Sequence, residues 1–363
     1  MTHTTVVVGA EAPSRPSFAW RHFLEFDPNA MPLGDFLVLE CDQFDVLVRG
    51  IRMSSLSIGY FGLPLAALLL RGDRHAVRWC VLSPVEAPGR RRLRSAFPDD
   101  RIVDLLEDDS GFARRVDTLF DESPVDLVVS WYFTRRLEAR WLEQARLRAI
   151  GAHPSLLPRH RGPNPFFAAI DAGDDETGVS VHYLEDEYDT GAVIAQSRMA
   201  VGSMNAWQLA RALDRPSLRL LREVVGDFAC GRFRAAMTQN VENVTLAPEP
   251  RGERLRVDWN WPTERILRRI RALSPVPGLA LELNGVRFFA TAATETGDFP
   301  GVLRPGEASL GNRLILRTGD GAVAVERAQV EDDREAEARS PGMDGEGVLS
   351  GEALVGLLRA RGQ

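Results

Sequence analysis

Apolar residues in this chain follow two rhythms. Short, nearly continuous runs occur at 56–62, 76–82, 125–131 and 147–150, each bounded by Gly, Pro or polar residues. Runs of this length without alternation predict buried parallel strands, covered on both faces. Between them lie stretches with helical spacing, at 63–71, 111–120, 136–146 and 206–228. Pro64 falls in the first turn of its helix, where a missing N–H is tolerated. Pro216 predicts an interruption in the longest helix. Strand and helix alternating in this way predict an α/β domain with a Rossmann-like opening.

From about residue 235 the pattern changes. An extended linker at 246–259 leads to a helix at 262–273, with Thr263 as its expected N-cap. Short strands with Gly turns follow at 279–283, 286–290, 313–317 and 322–328 and predict a small β-barrel. Residues 331–346 are polar and Gly-rich and predict a mobile loop; 350–359 predicts a closing helix. Residues 1–52 carry no motif. A strand at 4–8 and one or two within 36–47 are expected, packed on the core or a partner. The domains expected are therefore an extension at 1–52, an α/β domain at 53–234, and a linker with a C-terminal domain at 235–363.

Composition changes this picture little. The 363 residues are 44% hydrophobic and 26% charged, as in ordinary globular proteins. No run approaches the roughly 20 apolar residues that span a bilayer. The N-terminus lacks the blocks of a secretory signal. No membrane partner and a cytoplasmic location are expected. Cys41, Cys80 and Cys230 suggest neither a disulfide framework nor a zinc site, and no metal is expected. All 44 basic residues are Arg, against 51 acidic ones. The net charge of −7 disfavours a broad nucleic-acid footprint, so nucleic acid is not expected as a partner. Arg90-Arg91-Arg92-Leu93-Arg94 reads as a solvated loop face, with an anion-binding arm as the alternative.

Chemistry enters at His153. The stretch His153-Pro154-Ser155-Leu156-Leu157-Pro158-Arg159-His160-Arg161-Gly162-Pro163 follows the strand at 147–150, and its three prolines force the chain out of the sheet. Ligands bind at the carboxyl ends of strands in open α/β sheets. A histidine there is a candidate acid or base. At 189 − 153 = 36 residues further on, Glu185-Asp186-Glu187-Tyr188-Asp189-Thr190-Gly191 forms an acidic turn between strand-like runs at 178–184 and 192–196. A carboxylate beside an imidazole fixes its tautomer and stabilises its protonated form. One histidine alone reads more readily as core; the rigid loop and the acidic turn together shift the reading to function. His160 and His182 give weaker signals. Gly59 and Gly62 do not complete a dinucleotide-binding fingerprint.

These motifs, with Thr177-Gly178-Val179-Ser180-Val181-His182 between them, resemble the 10-formyltetrahydrofolate-dependent formyltransferases. That superfamily includes the methionyl-tRNA and aminosugar N-formyltransferases. Phe61-Gly62-Leu63-Pro64 resembles its first turn. Asp258-Trp259, the helix at 262–273 and Pro275-Val276-Pro277-Gly278 resemble its C-terminal domain. The resemblance covers roughly residues 56–360. It implies an α/β fold, a Rossmann-like N-domain followed by a small C-terminal OB-like β-barrel. It implies 10-formyltetrahydrofolate as the one-carbon donor, and His153 and Asp189 as catalytic residues. It implies a pterin pocket along Ser130, Trp131 and Tyr132, with Trp131 and Tyr132 as core aromatics the alternative, and donor contacts from Ser155, Leu156, Leu157, Pro158 and Glu185. The family's third catalytic residue, an Asn two positions before the His, is Gly151 here. Losing such an oxyanion donor costs on the order of 3 kcal/mol, roughly a hundredfold in rate. Asn164 is the nearest candidate substitute. The activity implied is formyl transfer to an amine of a small or carrier-bound metabolite. Altered one-carbon chemistry, deformylation, or a binding subunit with weak catalysis are the alternatives. Oligomeric state and the identity of the acceptor are not set by the sequence.

Overall fold

The computed structural model describes residues 4–5, 55–330 and 348–361. The strands expected within 36–47 and the loop at 331–346 lie outside the described residues. Of the strand expected at 4–8, β1 (Thr4–Thr5) is described; it pairs antiparallel with Glu307 and Ala308.

The α/β domain is built on β2 (Ser57–Gly62), β3 (Ala76–Leu82), β4 (Ile102–Asp104), β5 (Leu127–Trp131), β6 (Arg148–His153), β7 (Glu176–Tyr183) and β8 (Val193–Ala200). Their order in the sheet is β4-β3-β2-β5-β6-β7-β8. The first five are parallel and the last two antiparallel. Strand order reverses beside β2, which creates a switch point next to β5. The helices are α1 (Pro64–Gly72), α2 (Arg90–Ala96), α3 (Phe112–Glu122), α4 (Ala139–Leu142), α5 (Pro165–Ala172) and α6 (Ala206–Ala229). Alternation along β5 sends Leu127, Val129 and Trp131 into one core with α1, α5 and α6. Val128 points into the opposite core, with Phe61, Trp79, and Trp141 of α4.

Several expectations are corrected here. β6 does not stop at 150. Gly151 pairs with Ser130 on one side and His182 on the other, so the strand continues to His153. The helix expected at 136–146 shrinks to α4, because the N–H groups of Arg146 and Leu147 already donate to Val125 and Asp126. α6 runs unbroken through Pro216. Burial of Leu213, Leu218 and Leu221 against the sheet outweighs the lost backbone bond. Arg90 is not on a solvated loop. It starts α2 and is buried between Asp104 and the Val85 carbonyl. Burial works against the Asp104 carboxylate, yet Arg90 and Arg94 hold it below the usual range.

The C-terminal unit opens with α7 (Thr263–Leu273). Pro262, not Thr263, sits at the cap, and Asp320 Oδ1 accepts from the Thr263 N–H at 2.8 Å. Then come β9 (Leu279–Leu283), β10 (Val286–Glu295), β11 (Glu307–Leu310), β12 (Leu314–Arg317), β13 (Ala322–Val330), β14 (Val348–Ser350) and α8 (Gly351–Arg361). The antiparallel order is β1-β11-β12-β13-β10-β9, with β14 also on β13. Register shifts between Ala290 and Ala293 bend β10, as closure toward a small barrel requires. Arg269 fastens α7 to α5: it forks onto Asp171 at 2.5 and 3.0 Å and reaches the Arg254 and Arg256 carbonyls. A buried guanidinium is stable only when paired in this way. Among the described residues no helix is long and apolar enough to cross a membrane.

One group in α6 gives the fold a pH dependence. Burial pushes the Asp214 carboxyl up to about 7, opposed by Arg211 and by a hydrogen bond with Tyr132. The unfolded chain releases this proton near 3.8. The folded state therefore binds more protons between these values, and stability falls as pH rises through that window. The ceiling is about 4 kcal/mol, reduced because 17% of the side chain remains exposed. Asp214→Asn is expected to lose less stability than wild type between pH 5 and 8, read as the difference in unfolding midpoints. Parallel curves for the two proteins would remove Asp214 as the cause.

Candidate functional site

The site grows from one face of the sheet. Ser130, Gly151 and His182 are register partners on β5, β6 and β7, so they lie side by side across three strands. His153 is two residues beyond Gly151 and shares its face. A cavity of about 340 Å³ opens above this row. Its walls are the segment after β5, including Tyr132, Phe133 and Leu137, and the turn from Leu184 to Asp189. Gly162 and Glu249 close the rim.

The two residues expected to act together do meet. His153 Nδ1 lies 3.5 Å from Asp189 Oδ1. The other ring nitrogen, Nε2, is 2.8 Å from the His160 carbonyl. A carbonyl only accepts, so Nε2 carries the hydrogen, and Nδ1 bears the lone pair when the ring is neutral. A proton taken up at Nδ1 would face the carboxylate. Asp189 Oδ2 accepts from the Gly162 N–H at 2.9 Å, which leaves Oδ1 for the imidazole. Gly191 lets the turn close: a Cβ there would lie 2.0 Å from the Tyr183 carbonyl.

His182 is a third member that sequence reading ranked too low. Its Nε2 is 3.6 Å from the same Asp189 oxygen, and its Nδ1 donates to the Tyr183 carbonyl at 2.7 Å. Burial pushes this imidazole down, against the pull of Asp189, so it is neutral at pH 7. The missed signal was period two: residue 182 falls on the face of 178 and 180, opposite Gly151. His160 is also built in. Its Nε2 lies 2.7 Å from Asp174, and burial holds its ring below the ordinary histidine range despite that carboxylate.

The remaining expected residues separate. Ser130, Tyr132 and Glu185 line the cavity. Trp131 faces the opposite core and donates to Ser217 at 2.8 Å. Ser155, Leu156, Leu157 and Pro158 lie outside the cavity lining and build the loop instead. Ser155 donates to the Arg159 carbonyl at 2.6 Å, and the Leu157 N–H donates to Ser180 at 3.0 Å. These bonds fix the loop whose His160 carbonyl holds His153. Asn164 is put to another use: it caps α5, its Oδ1 accepting from the Phe167 N–H, and it does not line the cavity. The candidate substitute for the amide absent at Gly151 is thus placed outside the cavity lining. The space beside Gly151 is apolar. A Cβ at Gly151 would lie 2.7 Å from Leu184 Cδ2.

Among the described residues, three of the five non-glycine residues with positive φ, Tyr132, His160 and Asp189, surround this site. Backbone strain of this kind persists only where neighbours over-determine it, and it concentrates at functional sites.

Comparison with known proteins identifies the family to which the fold belongs. Residues 75–221 match the family described as Formyl transferase, and residues 251–342 match Formyl transferase, C-terminal domain. Methionyl-tRNA formyltransferase of Ralstonia nicotianae is 30% identical over 285 residues, 74% of this chain and 84% of the relative. The N-formyltransferase of Helicobacter canadensis, solved with folinic acid and dTDP-3-aminofucose, superposes with a TM-score of 0.57 at 15% identity. That match covers 74% of this chain and 98% of the other. HypX of Aquifex aeolicus, solved with tetrahydrofolic acid, superposes with a TM-score of 0.56 at 19% identity, over 84% of this chain and 48% of its own. At these identities the two superpositions speak to fold alone.

The Leu184 contact sets an expectation for Gly151→Asn. The new side chain must displace the terminal methyl of Leu184, and because that side chain is only half-buried the cost falls below the roughly 1–3 kcal/mol of overpacking a closed core. Leu184→Ala in the same chain is expected to recover most of that loss in chemical unfolding. Strictly additive effects of the two substitutions would show that the contact does not matter.

Proposed function

This chain belongs to the formyl transferase family, and on that premise we propose that it moves a formyl group from 10-formyltetrahydrofolate to an amine. The observation that carries the reading is the meeting of His153 Nδ1 and Asp189 Oδ1, 3.5 Å apart, at the base of the cavity. The cavity's composition suits such a donor. Phe133, Leu137 and Leu184 offer apolar walls for a flat heterocycle, and Arg135 and Arg136, paired with Asp109 and Asp186, would have to exchange those partners to meet a carboxylate tail. The donor supplies a formyl carbon on a weakly basic nitrogen, which an amine can displace.

The chain's own residues then have separable tasks. Glu185, Glu187 and Glu249 make an acidic rim that draws in a cationic amine. His153 Nδ1 takes the proton that the attacking amine must lose. Asp189 stabilises the imidazolium so formed. The His160 carbonyl keeps Nε2–H in place, so the ring does not turn. The imidazolium then gives up that proton to the donor nitrogen as the bond between that nitrogen and the formyl carbon breaks, while Gly151 brings no side-chain amide to the formyl oxygen.

The acceptor proposed is an amine on a small or carrier-bound metabolite. The expectation against a nucleic-acid partner finds no support in relatives named for methionyl-tRNA, so a charged tRNA belongs among the acceptors to be tried. A second reading follows from Leu184 in the space beside Gly151. With no side-chain donor there, water in place of the amine would give deformylation.

Formyl-labelled 10-formyltetrahydrofolate decides between these readings. Label in an amine product is expected from a panel of aminosugar nucleotides, carrier-bound amines and charged tRNA. Label only in free formate supports deformylation, and label in neither overturns both. His153→Ala and Asp189→Asn are each expected to lower turnover by about 10²–10⁴-fold, the range for general acid–base groups. A loss below threefold in either variant would dismiss the pair as the reacting groups.

A further inference from the structure

The turn that carries Asp189 is held from outside the sheet. Asp189 has φ of 58°, in the left-handed region that few residues with a side chain adopt, aspartate being among those that reach it. Its carbonyl and that of Gly191 both accept from one group, the Gln239 side-chain amide, at 2.8 and 2.7 Å. Gln239 Oε1 in turn accepts from Arg161 Nε and Nη2, at 3.0 and 2.7 Å. Guanidinium groups only donate and carbonyls only accept, so the amide can sit only one way round. Gln239 is 8% exposed and all its hydrogen-bonding capacity toward these partners is used.

Gln239 belongs to neither sheet. It lies on the linker between α6 and α7, and that linker grips the other site loop as well. The His160 N–H donates to Thr245 Oγ1 at 2.9 Å. Arg161 and Ala247 exchange backbone bonds with this segment, Arg161 N–H to the Thr245 carbonyl at 2.9 Å and Ala247 N–H to the Arg161 carbonyl at 2.7 Å. The Asn164 N–H donates to the Ala247 carbonyl at 2.9 Å. One strand of linker therefore sets the distance between the loop that orients His153 and the turn that presents Asp189.

We propose that Gln239 is a positioning residue for the reaction, acting through Asp189, and that the interdomain linker is the part of the chain that assembles the site. The proposal rests on the His153–Asp189 reading and deepens it. No other side chain is hydrogen-bonded to both the Asp189 and Gly191 carbonyls among the described residues. Glutamate at 239 would keep the shape and an ion pair with Arg161 but would place oxygen against those two carbonyls. The linker would stay attached while the turn is released.

Gln239→Glu is therefore the informative variant, with Gln239→Asn, one methylene shorter, as a second that is read in the same way. In the full-length protein, turnover is expected to fall tenfold or more, while KM for the formyl donor changes less than twofold. In an Asp189→Asn background, either variant is expected to add less than a twofold further loss, because the two residues act as one unit. A titration of the His153 ring by NMR supplies a readout that needs no turnover. Gln239→Glu and Asp189→Asn are expected to move its midpoint in the same direction. Independent multiplicative losses, or an unmoved His153 midpoint in a folded variant, would overturn the proposal. If wild type transfers no formyl group at all, the proposed function fails while the titration still tests the role of Gln239.

Discussion

A single carboxylate has to face two ways, and the geometry around it follows from that requirement. Asp189 Oδ2 is tied to the Gly162 N–H, and Oδ1 is left between two imidazoles. To present itself so, the residue takes a left-handed backbone conformation, and the following turn must pass a carbonyl so closely that Gly191 is required. Here that conformation is held by bonds from two directions, the Gly162 N–H of the proline-rich loop and the Gln239 amide of the linker. The site is therefore a product of the domain junction as much as of the sheet.

Strand alternation supplies the complementary constraint. Parallel pairing of β5 with β6 and antiparallel pairing of β6 with β7 bring Ser130, Gly151 and His182 into one row. Each is separated from its neighbour by a single strand spacing, about 4.8 Å. A change at one position is felt at the next. With glycine at 151, Leu184 leans into the space, and the floor of the cavity beside His153 becomes apolar. Two carbonyls, of His160 and Tyr183, fix the tautomers of the flanking imidazoles so that both turn a lone pair toward Asp189.

Much of this could be read in the residues. The apolar runs identified the strands around the switch point because a sheet buried on both faces leaves little room for polar residues. Prolines 154, 158 and 163 marked a loop because a pyrrolidine ring cannot donate to a ladder. His153 and Asp189 stood out because the loop and turn that carry them were both legible. Less legible were features that depend on a distant partner. Asn164 looked available until α5 claimed it as a cap, and Trp131 looked ligand-facing until alternation turned it toward Ser217. Arg90 read as solvated because its partner Asp104 lies on another strand.

The sequence by itself thus determined the class of fold, the break in the chain after His153 and the acidic turn, since these rest on local sterics and on short-range periodicity. Tertiary structure alone decided that Gln239 and Gly162 grip Asp189, that His182 joins the pair, and that Leu184 fills the place beside Gly151. Those contacts link residues far apart along the chain, and hydrogen-bond direction and packing volume have no meaning until the strands are in register.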